Sequence, residues 1–271
     1  MTSPLHRPRP ARDAESLQRS RERSLDMNSL SAERAFRTIS LLSITLLAVA
    51  AFSGCGDDDS TGVKKTNRVL SLDGAGDYMS VPIANHTFAT FTIEAKVKIS
   101  TYDGNVHYVS LYQNAYLVLG DWGDGSISTW ASGLNPVDAA TGVQPAITTD
   151  EWHHFAFSYD GANQYVLIDG VVVASVPTTG AVTNDVGSFN SGLKIGARYT
   201  GGTQYVAGQL DEIRVWNIYR TENQIRDNMN RTISSQTGLV GYWNFDDGTP
   251  SDLSGNAADG TLIDNAVIVR K

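Results

Sequence analysis

The fold is decided by residues 151–176, EWHHFAFSYDGANQYVLIDGVVVASV. Three strand-forming runs, HHFAFSY, QYVLI and VVVASV, are separated by turn-forming residues at 160–163 and 169–170. An Asp-Gly pair between apolar runs is the strongest short-range signal of a β-hairpin. The stretch therefore predicts two consecutive hairpins.

The same kind of pattern continues on both sides of this stretch. Residues 91–99, FTIEAKVKI, alternate without interruption between apolar and polar side chains, as expected for a strand that is buried on one face. Further short strands are predicted at residues 69–72, 78–81, 108–112, 116–119, 193–195, 209–216 and 239–245. Short strands at this spacing predict an all-β, antiparallel two-sheet sandwich.

One short helix is predicted near residues 221–231. Thr221 is a suitable N-cap, and Gln224 follows three residues later, as in a capping box. Ile225 and Met229 form an apolar pair at helical spacing. We expect this helix to cover one end of the sandwich.

The composition excludes several classes of protein. With 41% hydrophobic and 18% charged residues, the chain is neither disordered nor collagen-like. A formal net charge of −8 disfavours a nucleic-acid partner, which requires clustered Lys and Arg. A single cysteine, Cys55, excludes an intramolecular disulfide and a thiolate metal cage.

The first part of the chain has the features of an export signal. Residues 39–52 are an apolar run that follows Arg34 and Arg37 and is too short to span a bilayer, which takes about 20 residues. The run ends at residues 52–55, Phe-Ser-Gly-Cys, which resemble the lipobox of bacterial lipoproteins. This resemblance implies a lipid on Cys55 and, with Gly56 following it, a place at the outer membrane or cell surface. The alternative is an ordinary secretory signal with an incidental thiol.

The chain is therefore divided into three parts. We expect residues 1–54 to be a leader and lipoprotein signal peptide, 55–65 the lipidated cysteine with a polar tether, and 66–271 a single folded domain. A start at Met27 would give a leader of ordinary length, so the alternative that residues 1–26 are not translated stays open.

The domain carries a family resemblance over nearly all of residues 67–265. NRVLSLDGAGDYMSVP, FTIEAKVKI, the hairpin stretch, GLKIGARY, GQLDEIRVWN, GLVGYWNFDDG and DLSGNAADGTL occur in this order. Together they resemble the laminin G-like jelly roll of the concanavalin A-like lectin and glucanase superfamily. The resemblance implies a convex and a concave antiparallel sheet. It also implies a protein that binds glycans or proteins, since only a minority of members cleave polysaccharides.

Catalysis by two carboxyl groups is not expected. Laminarinase-type enzymes of this superfamily carry a Glu-x-Asp-x-x-Glu pattern on one strand, so the resemblance implies that a catalytic chain would have it too. Here Gln209 and Arg214 stand at the two glutamate positions. Asp211 and Glu212 are adjacent, so a regular strand would direct them to opposite faces. The sequence predicts a non-catalytic, surface-anchored module for a glycan or a cell-surface protein. The alternatives are a divergent polysaccharide-active glycoside hydrolase and a structural envelope lipoprotein.

Residues 120–130, GDWGDGSISTW, are the predicted ligand-binding stretch. An exposed Trp beside an Asp suits sugar recognition, because the ring stacks on a pyranose face and the carboxylate accepts hydrogen bonds from hydroxyl groups. The candidate residues are Trp122, Asp121, Asp124 and Trp130. The other tryptophans, Trp152, Trp216 and Trp243, lie in apolar strands and are expected in the core.

A structural calcium ion is the one predicted cofactor. Asp252, Asn256 and Asp259 offer hard oxygen ligands within a short loop, and many members of the superfamily hold calcium where their terminal strands meet. The resemblance implies that this loop lies beside Asp73. The alternative is turn chemistry, because Asp, Ser, Asn and Gly favour chain reversals.

Overall fold

The computed structural model describes residues 66–83, 88–102, 106–112, 116–121, 126–139, 148–182, 192–198 and 204–271. These residues belong to one compact unit, Thr61–Lys271. The predicted leader, Cys55 and the tether lie outside the described residues.

The larger sheet has eight strands and is antiparallel. Its order is β10-β9-β8-β3-β13-β1-β16, and β14 also pairs with β13. The strands are β1 (Arg68–Asp73), β3 (Phe91–Ile99), β8 (His153–Tyr159), β9 (Asn163–Ile168), β10 (Val171–Pro177), β13 (Ala207–Trp216), β14 (Leu239–Trp243) and β16 (Val267–Arg270).

The second sheet has six antiparallel strands in the order β15-β2-β12-β4-β5-β6. They are β2 (Tyr78–Val81), β4 (Val106–Tyr112), β5 (Tyr116–Asp121), β6 (Ile127–Ala131), β12 (Gly192–Ile195) and β15 (Thr261–Ile263). A two-stranded ribbon joins β7 (Leu134–Asn135) and β11 (Thr179–Gly180). The predicted antiparallel jelly-roll sandwich is confirmed.

The core lies between the two large sheets because each strand turns its apolar side chains inward. In β3, Phe91, Ile93 and Ala95 are fully buried members of the main core. Strands of the six-stranded sheet contribute Met79, Val109, Leu119 and Ile195 from the other side, at the alternate positions that a strand directs to one face.

The hairpins of the opening stretch form as predicted, and their second turn fixes a neighbouring element. Asp169 and Gly170 have φ values of 51° and 77°, the positive values that a tight hairpin turn requires. A Cβ atom on Gly170 would lie 3.0 Å from Cβ of Arg226. Glycine therefore meets both the turn geometry and the close approach of the helix.

The helix α1 spans Glu222–Asn228 and is shorter than predicted, although Thr221 and Gln224 form the expected capping box. Ile225 packs with Ala156 and Leu167 on the outer face of the eight-stranded sheet. The expected position at one end of the sandwich is therefore wrong, because the helix covers a sheet face. Within the part of the chain that the structure describes, no helix has the length and apolar character needed to cross a membrane.

Candidate ligand-binding face

One row of side chains crosses the outer face of the six-stranded sheet. The strand register places Lys194 opposite Ser80 on one side and Ser110 on the other, and continues through Val118 to Trp130. The neighbours of these residues along each strand point into the core, so the row points away from it. We call this surface the outer face of the six-stranded sheet.

Lys194 is the cation at the centre of this face. The residue is only 9% exposed, and its Nζ lies 4.6 Å from the centre of the Tyr78 ring. Among the described residues it has neither a carboxylate at ion-pair distance nor a hydrogen-bond partner. Burial lowers the pKa of Lys194 because the protein replaces water around the ammonium group. Within the described part of the chain, the Tyr78 ring is the contact that stabilises its charge.

Polar groups continue along the face beside Lys194. His107 and Ser110 are buried, and Nδ1 of the ring lies 2.8 Å from the Ser110 hydroxyl. Burial, aided by the positive charge of Arg198, lowers the pKa of His107 to about 3. The ring is therefore neutral at physiological pH. Arg198 donates to Gln204 at 2.9 Å.

A second aromatic side chain lies next to Tyr78. The rings of Tyr78 and Tyr205 are 6.4 Å apart between centres and inclined by 24°. Both residues are half-buried, and Trp130 at the far end of the row is 37% exposed. The face thus combines partly exposed aromatic rings with two cations and neutral polar groups, which is the composition of an orienting ligand site.

The predicted ligand-binding residues do not come together in one site. Trp130 lies on the outer face, in strand β6 and not in a loop. Trp122 and Asp124 lie outside the described residues. Asp121 is fully buried, and the Tyr108 hydroxyl donates to its carboxylate at 3.0 Å. The prediction for Asp121 is therefore wrong, because its register opposite Val106 and Ile127 turns it toward the core.

The tryptophans predicted to be in the core also differ in burial. Trp216 and Trp243 are fully buried, as expected. Trp152 is only half-buried, and Nζ of Lys271 lies 3.9 Å from the centre of its ring. The core assignment of Trp152 is wrong because the residue immediately precedes strand β8.

The prediction that Asp211 and Glu212 point to opposite faces is wrong as well. Asp211 pairs with Lys96, and the next pair along the two strands is Arg214 with Glu94. Strand β13 therefore advances by three residues where β3 advances by two, and the extra residue in β13 forms a β-bulge. Glu212 has a φ of 49° within this bulge. Its carboxylate consequently contacts Arg214, on the same side of the sheet as Asp211.

Both carboxylates are nevertheless held by structural partners. Glu212 accepts hydrogen bonds from Arg214 and, at 2.8 Å, from the Tyr242 hydroxyl. Nζ of Lys271 lies 3.3 Å from the carboxylate of Asp211. Burial raises the pKa of Asp211 to about 6, although Lys271 opposes this shift.

The two histidines of strand β8 have separate partners. His153 lies 2.9 Å from Asp169 and 2.8 Å from the Thr148 hydroxyl. His154 is buried, with Nε2 at 3.3 Å from Glu94. In the described part of the chain, no group of three or more His, Cys, Asp or Glu residues is arranged to hold a metal ion.

The predicted calcium loop is held together by its own hydrogen bonds. One oxygen of Asp252 accepts from the backbone N–H groups of Tyr242 and Ser254, and the other accepts from the Ser254 hydroxyl and the N–H of Ala258. A carboxylate has about four lone-pair sites, so these donors leave none for a cation. Asp252 does not fit a calcium ligand and acts as the centre of a turn.

The other predicted metal ligands have similar local roles. Asp259 accepts from the N–H of Asp252 at 2.8 Å, and the side-chain amide of Asn256 donates to the carbonyl of Leu239 at 2.9 Å. Asp73 accepts from Asn265 at 3.2 Å. Among the described contacts, none joins Asp73 to the loop at 252–259. These contacts favour the turn alternative, and calcium binding itself stays a prediction to be tested.

We expect Asp252→Ala to lower the free energy of unfolding by about 2–4 kcal/mol, because four donors lose one acceptor at once. Urea denaturation with and without a calcium chelator measures this. If Asp252 only holds the turn, the loss of unfolding free energy is the same with and without the chelator. Asp247→Ala, at an exposed turn, is the control. A loss that appears only when calcium is present would restore the metal interpretation.

Lys194, Tyr78 and Arg198 are not among the site residues predicted from the sequence. The alternation in residues 192–195, GLKI, contained a signal for Lys194, since Leu193 and Ile195 face the core and Lys194 must face away. The alternation does not show which strands pair with residues 192–195. These pairings bring Lys194 into one row with Trp130.

Comparisons with known proteins support the fold. The sequence profile of the family described as the concanavalin A-like lectin/glucanases superfamily matches residues 73–226, which is more than half of the 271 residues. No curated protein sequence matches the chain.

Two solved structures illustrate the similarity. The first is a "putative carbohydrate binding protein" from Bacteroides ovatus ATCC 8483, with a TM-score of 0.62 and 24% identity over 76% of this chain. The present chain spans 60% of that protein's length. The second is the heptameric SAP-like pentraxin from Limulus polyphemus, with a TM-score of 0.53 and 12% identity, covering 77% of this chain and 97% of the pentraxin. At these identities the similarity concerns the fold.

Proposed function

Because the chain belongs to the concanavalin A-like lectin/glucanases superfamily, we propose that it is a non-catalytic binding module that holds a glycan on the outer face of the six-stranded sheet. The carbohydrate binding named for the similar Bacteroides ovatus protein supports this class of ligand. The residues that carry the proposal are those of the present chain.

The single observation that carries the proposal is the row from Lys194 to Trp130. The two residues are separated by three strand spacings, so their Cα atoms lie about 14 Å apart. Ser110 and Val118 in the middle of the row are buried, so the contacts that a ligand can reach lie at its two ends. The partly exposed Trp130 ring at one end, and the half-buried Tyr78 and Tyr205 rings beside Lys194 at the other, suit an elongated ligand with both apolar and polar surfaces. A short oligosaccharide has this character, and a single small sugar would not reach both groups.

The non-catalytic part of the proposal rests on the partners of the carboxylates. Asp211 and Glu212 lie on the same side of the eight-stranded sheet, but both carboxylates already have partners. Lys271 contacts Asp211, and Arg214 and the Tyr242 hydroxyl contact Glu212. A glycosidase acid or base must reach the glycosidic bond, and these groups are only 6% and 8% exposed. Binding without cleavage is therefore the function that the site supports best.

Replacing Trp130 tests the glycan proposal. Stacking of a planar ring on an aromatic side chain is worth roughly 1–3 kcal/mol in nucleic-acid complexes. If a sugar gains a similar contact, Trp130→Ala weakens binding by about one to two orders of magnitude. A glycan array with the purified chain identifies a ligand, and calorimetry then compares the variant with the wild type.

Leu253→Ala is the matched control, because this apolar side chain is also 37% exposed and lies outside the face. We expect it to leave the affinity unchanged. Equal glycan affinities of wild type and Trp130→Ala, with both proteins folded, would contradict the proposed binding face.

We also propose that a lipid on Cys55 anchors the protein at the bacterial outer membrane or cell surface. The support is the position of the single cysteine directly after an apolar run in the sequence. Stable anchoring requires more than one acyl chain, since one chain alone binds membranes only marginally.

Cys55→Ser is expected to release the protein from the membrane fraction or to leave it as an uncleaved precursor. Fractionation with detergent, followed by mass spectrometry of the peptide that contains residue 55, measures both results. Detergent-dependent fractionation that is unchanged in the variant, with no lipid mass on Cys55 in the wild type, would contradict the anchor.

A further inference from the structure

A single hydroxyl proton faces two acceptors at the start of strand β8. The Thr148 hydroxyl lies 2.6 Å from Oε2 of Glu151 and 2.8 Å from Nε2 of the His153 ring. The other ring nitrogen, Nδ1, lies 2.9 Å from Oδ2 of Asp169. A hydroxyl donates only one proton, and a carboxylate only accepts. The protonation state of His153 therefore decides which neighbour receives the hydrogen bond from Thr148.

Asp169 determines which nitrogen of the ring keeps its proton. Its Oδ1 accepts from the backbone N–H of His154 at 2.8 Å, so its Oδ2 is held against His153. Nδ1 must donate to this carboxylate in the charged and in the neutral ring, because the hydrogen bond of one nitrogen sets the tautomer. The change between the two states consequently falls on Nε2, which faces Thr148.

The two states of the ring leave different hydrogen bonds. When the ring is charged, Nε2 donates to the oxygen of Thr148, and the hydroxyl donates to Glu151. When the ring is neutral, Nε2 is an acceptor, and it accepts the hydrogen bond that the hydroxyl otherwise donates to Glu151. The carboxylate of Glu151 then loses its donor. The charged state thus has one more hydrogen bond than the neutral state.

The charged groups near His153 come from the adjoining segments and from the facing sheet. Asp169 lies in the turn between β9 and β10, and Glu151 and the exposed Asp150 precede β8. The N–H of Asp150 donates to the carbonyl of Ile99 at 2.7 Å, which attaches this segment to β3 in either state of the ring. On β3, the residue in register with His153 is an uncharged valine, and the lysines beside it point to the opposite face.

The facing sheet places aromatic rings and one carboxylate on the core side of His153. The ring of Phe155 lies 6.2 Å from the histidine ring between centres. Tyr108, from the six-stranded sheet, packs on Phe155 at 5.6 Å, and its hydroxyl donates to Asp121. In the described part of the chain, the carboxylates at hydrogen-bond distance of the histidine or of its hydroxyl partner are therefore the two already named.

We propose that His153 is a pH-sensitive switch for residues 148–151. With a protonated ring, the Thr148 hydroxyl bridges Glu151 and His153; with a neutral ring, it turns to His153 and releases Glu151. Histidine is the side chain whose charge ordinarily changes between about pH 5 and 8. At the acid end of this range, the segment before β8 is held by one more hydrogen bond. The switch uses none of the residues of the proposed glycan face, so either proposal can fail without the other.

Nitrogen NMR of the purified chain, recorded from about pH 5 to about pH 8, tests the assignment of the protons. The ring signals that disappear in His153→Gln are those of His153. We expect both ring nitrogens to carry protons in acid, and Nδ1 alone to carry one after the ring becomes neutral. Carbon NMR should show the carboxyl signal of Glu151 moving over the same pH range. A neutral ring with its proton on Nε2 would overturn the proposal.

Thr148→Val tests the hydroxyl, because valine keeps the branched shape and cannot form its hydrogen bonds. Two bonds are lost with the charged ring and one with the neutral ring. The rise in the unfolding equilibrium constant should therefore be about two- to tenfold larger at about pH 5 than at about pH 8. Thr148→Ser keeps the hydroxyl and should behave like the wild type.

Thr249→Val is the matched control. Thr249 is also exposed, and its hydroxyl donates to Asp247 at 2.7 Å, with no histidine among its described contacts. Urea denaturation should show the same effect of this substitution at both pH values. Equal effects of Thr148→Val at the two pH values would show that the hydroxyl keeps the same partners, and the switch would be wrong. If Thr148→Val does not fold, the tautomer of the neutral ring and the Glu151 signal in the wild type decide the question.

Discussion

Glu94→Gln is expected to lower the free energy of unfolding by about 3–5 kcal/mol, because it removes a fully buried negative charge that lies between two arginine side chains. Glu94 is fully buried on the outer face of the eight-stranded sheet. Its carboxylate lies 3.3 Å from His154 and 3.7 Å from both Arg214 and Arg220, and it accepts a hydrogen bond from the Trp216 indole at 2.7 Å. Glutamine would leave the buried guanidinium groups without this counter-charge.

The pH dependence of this effect follows from the pKa of Glu94. Burial alone would raise it, but His154, Arg214 and Arg220 together hold it below its ordinary value of 4.5. A lowered acid pKa stabilises the folded state above the unfolded-state pKa, and this contribution is lost as the pH falls through the folded-state pKa. The difference between wild type and Glu94→Gln should therefore be full at pH 7 and shrink below about pH 4.5.

Urea denaturation over a range of pH measures both results. Glu222→Gln is the matched control, since Glu222 forms an exposed ion pair with Arg226 at 3.7 Å. That pair should contribute no more than about 0.5 kcal/mol. A Glu94→Gln variant as stable as this control would show that the buried cluster does not depend on the carboxylate charge.

Trp243→Ala should also lower the free energy of unfolding by about 3–5 kcal/mol, since it removes a fully buried ring from the main core. The indole N–H donates to the carbonyl of Ala258 at 3.1 Å, so this carbonyl would lose its partner as well. The ring packs so closely over Gly241 that a Cβ atom there would collide with it. The site is therefore shaped around the tryptophan, and the substitution leaves a cavity.

Trp152→Ala provides the comparison at the same residue type. Trp152 is half-buried, and its described aromatic contact is the cation–π interaction with Lys271. Such an interaction is worth about 0.5–1 kcal/mol at an exposed site, so a loss of about 1 kcal/mol is expected. Thermal and chemical denaturation of the two variants measure the difference. Equal losses would contradict the distinction between a core ring and a strand-end ring.

The fold could be predicted because its signals are local. The period of two in residues 91–99 and the Asp-Gly turn at 169–170 depend only on neighbours in the chain, and both are present as predicted. The capping box of Thr221 and Gln224 is equally local, and it identified where the helix begins. The sheet onto which that helix packs is not a local property, and this part of the prediction was wrong.

The candidate site could be predicted only in part, because it depends on register between distant strands. Trp130 was a candidate from the sequence, but its alignment with Lys194 requires three strand pairings across the six-stranded sheet. The same pairings turn Asp121 inward, although the composition around it suggested an exposed loop. Alternation gives the relative faces of two neighbours, whereas tertiary pairing decides which face meets the core.

The sequence by itself determined most of the strands, the Asp-Gly turn, the helix cap and the absence of an intramolecular disulfide, since each follows from residue type and short spacing. It did not predict the strands Ile127–Ala131, Thr261–Ile263 and Val267–Arg270. Tertiary structure alone decided which partners the charged side chains meet. One extra residue in strand β13, with Glu212 at a φ of 49°, brings Glu212 to the same side as Asp211 against the expectation from alternation. A bulge forms in response to the partner strand, and the buried pairing of Glu94 with Arg214 arises from that register.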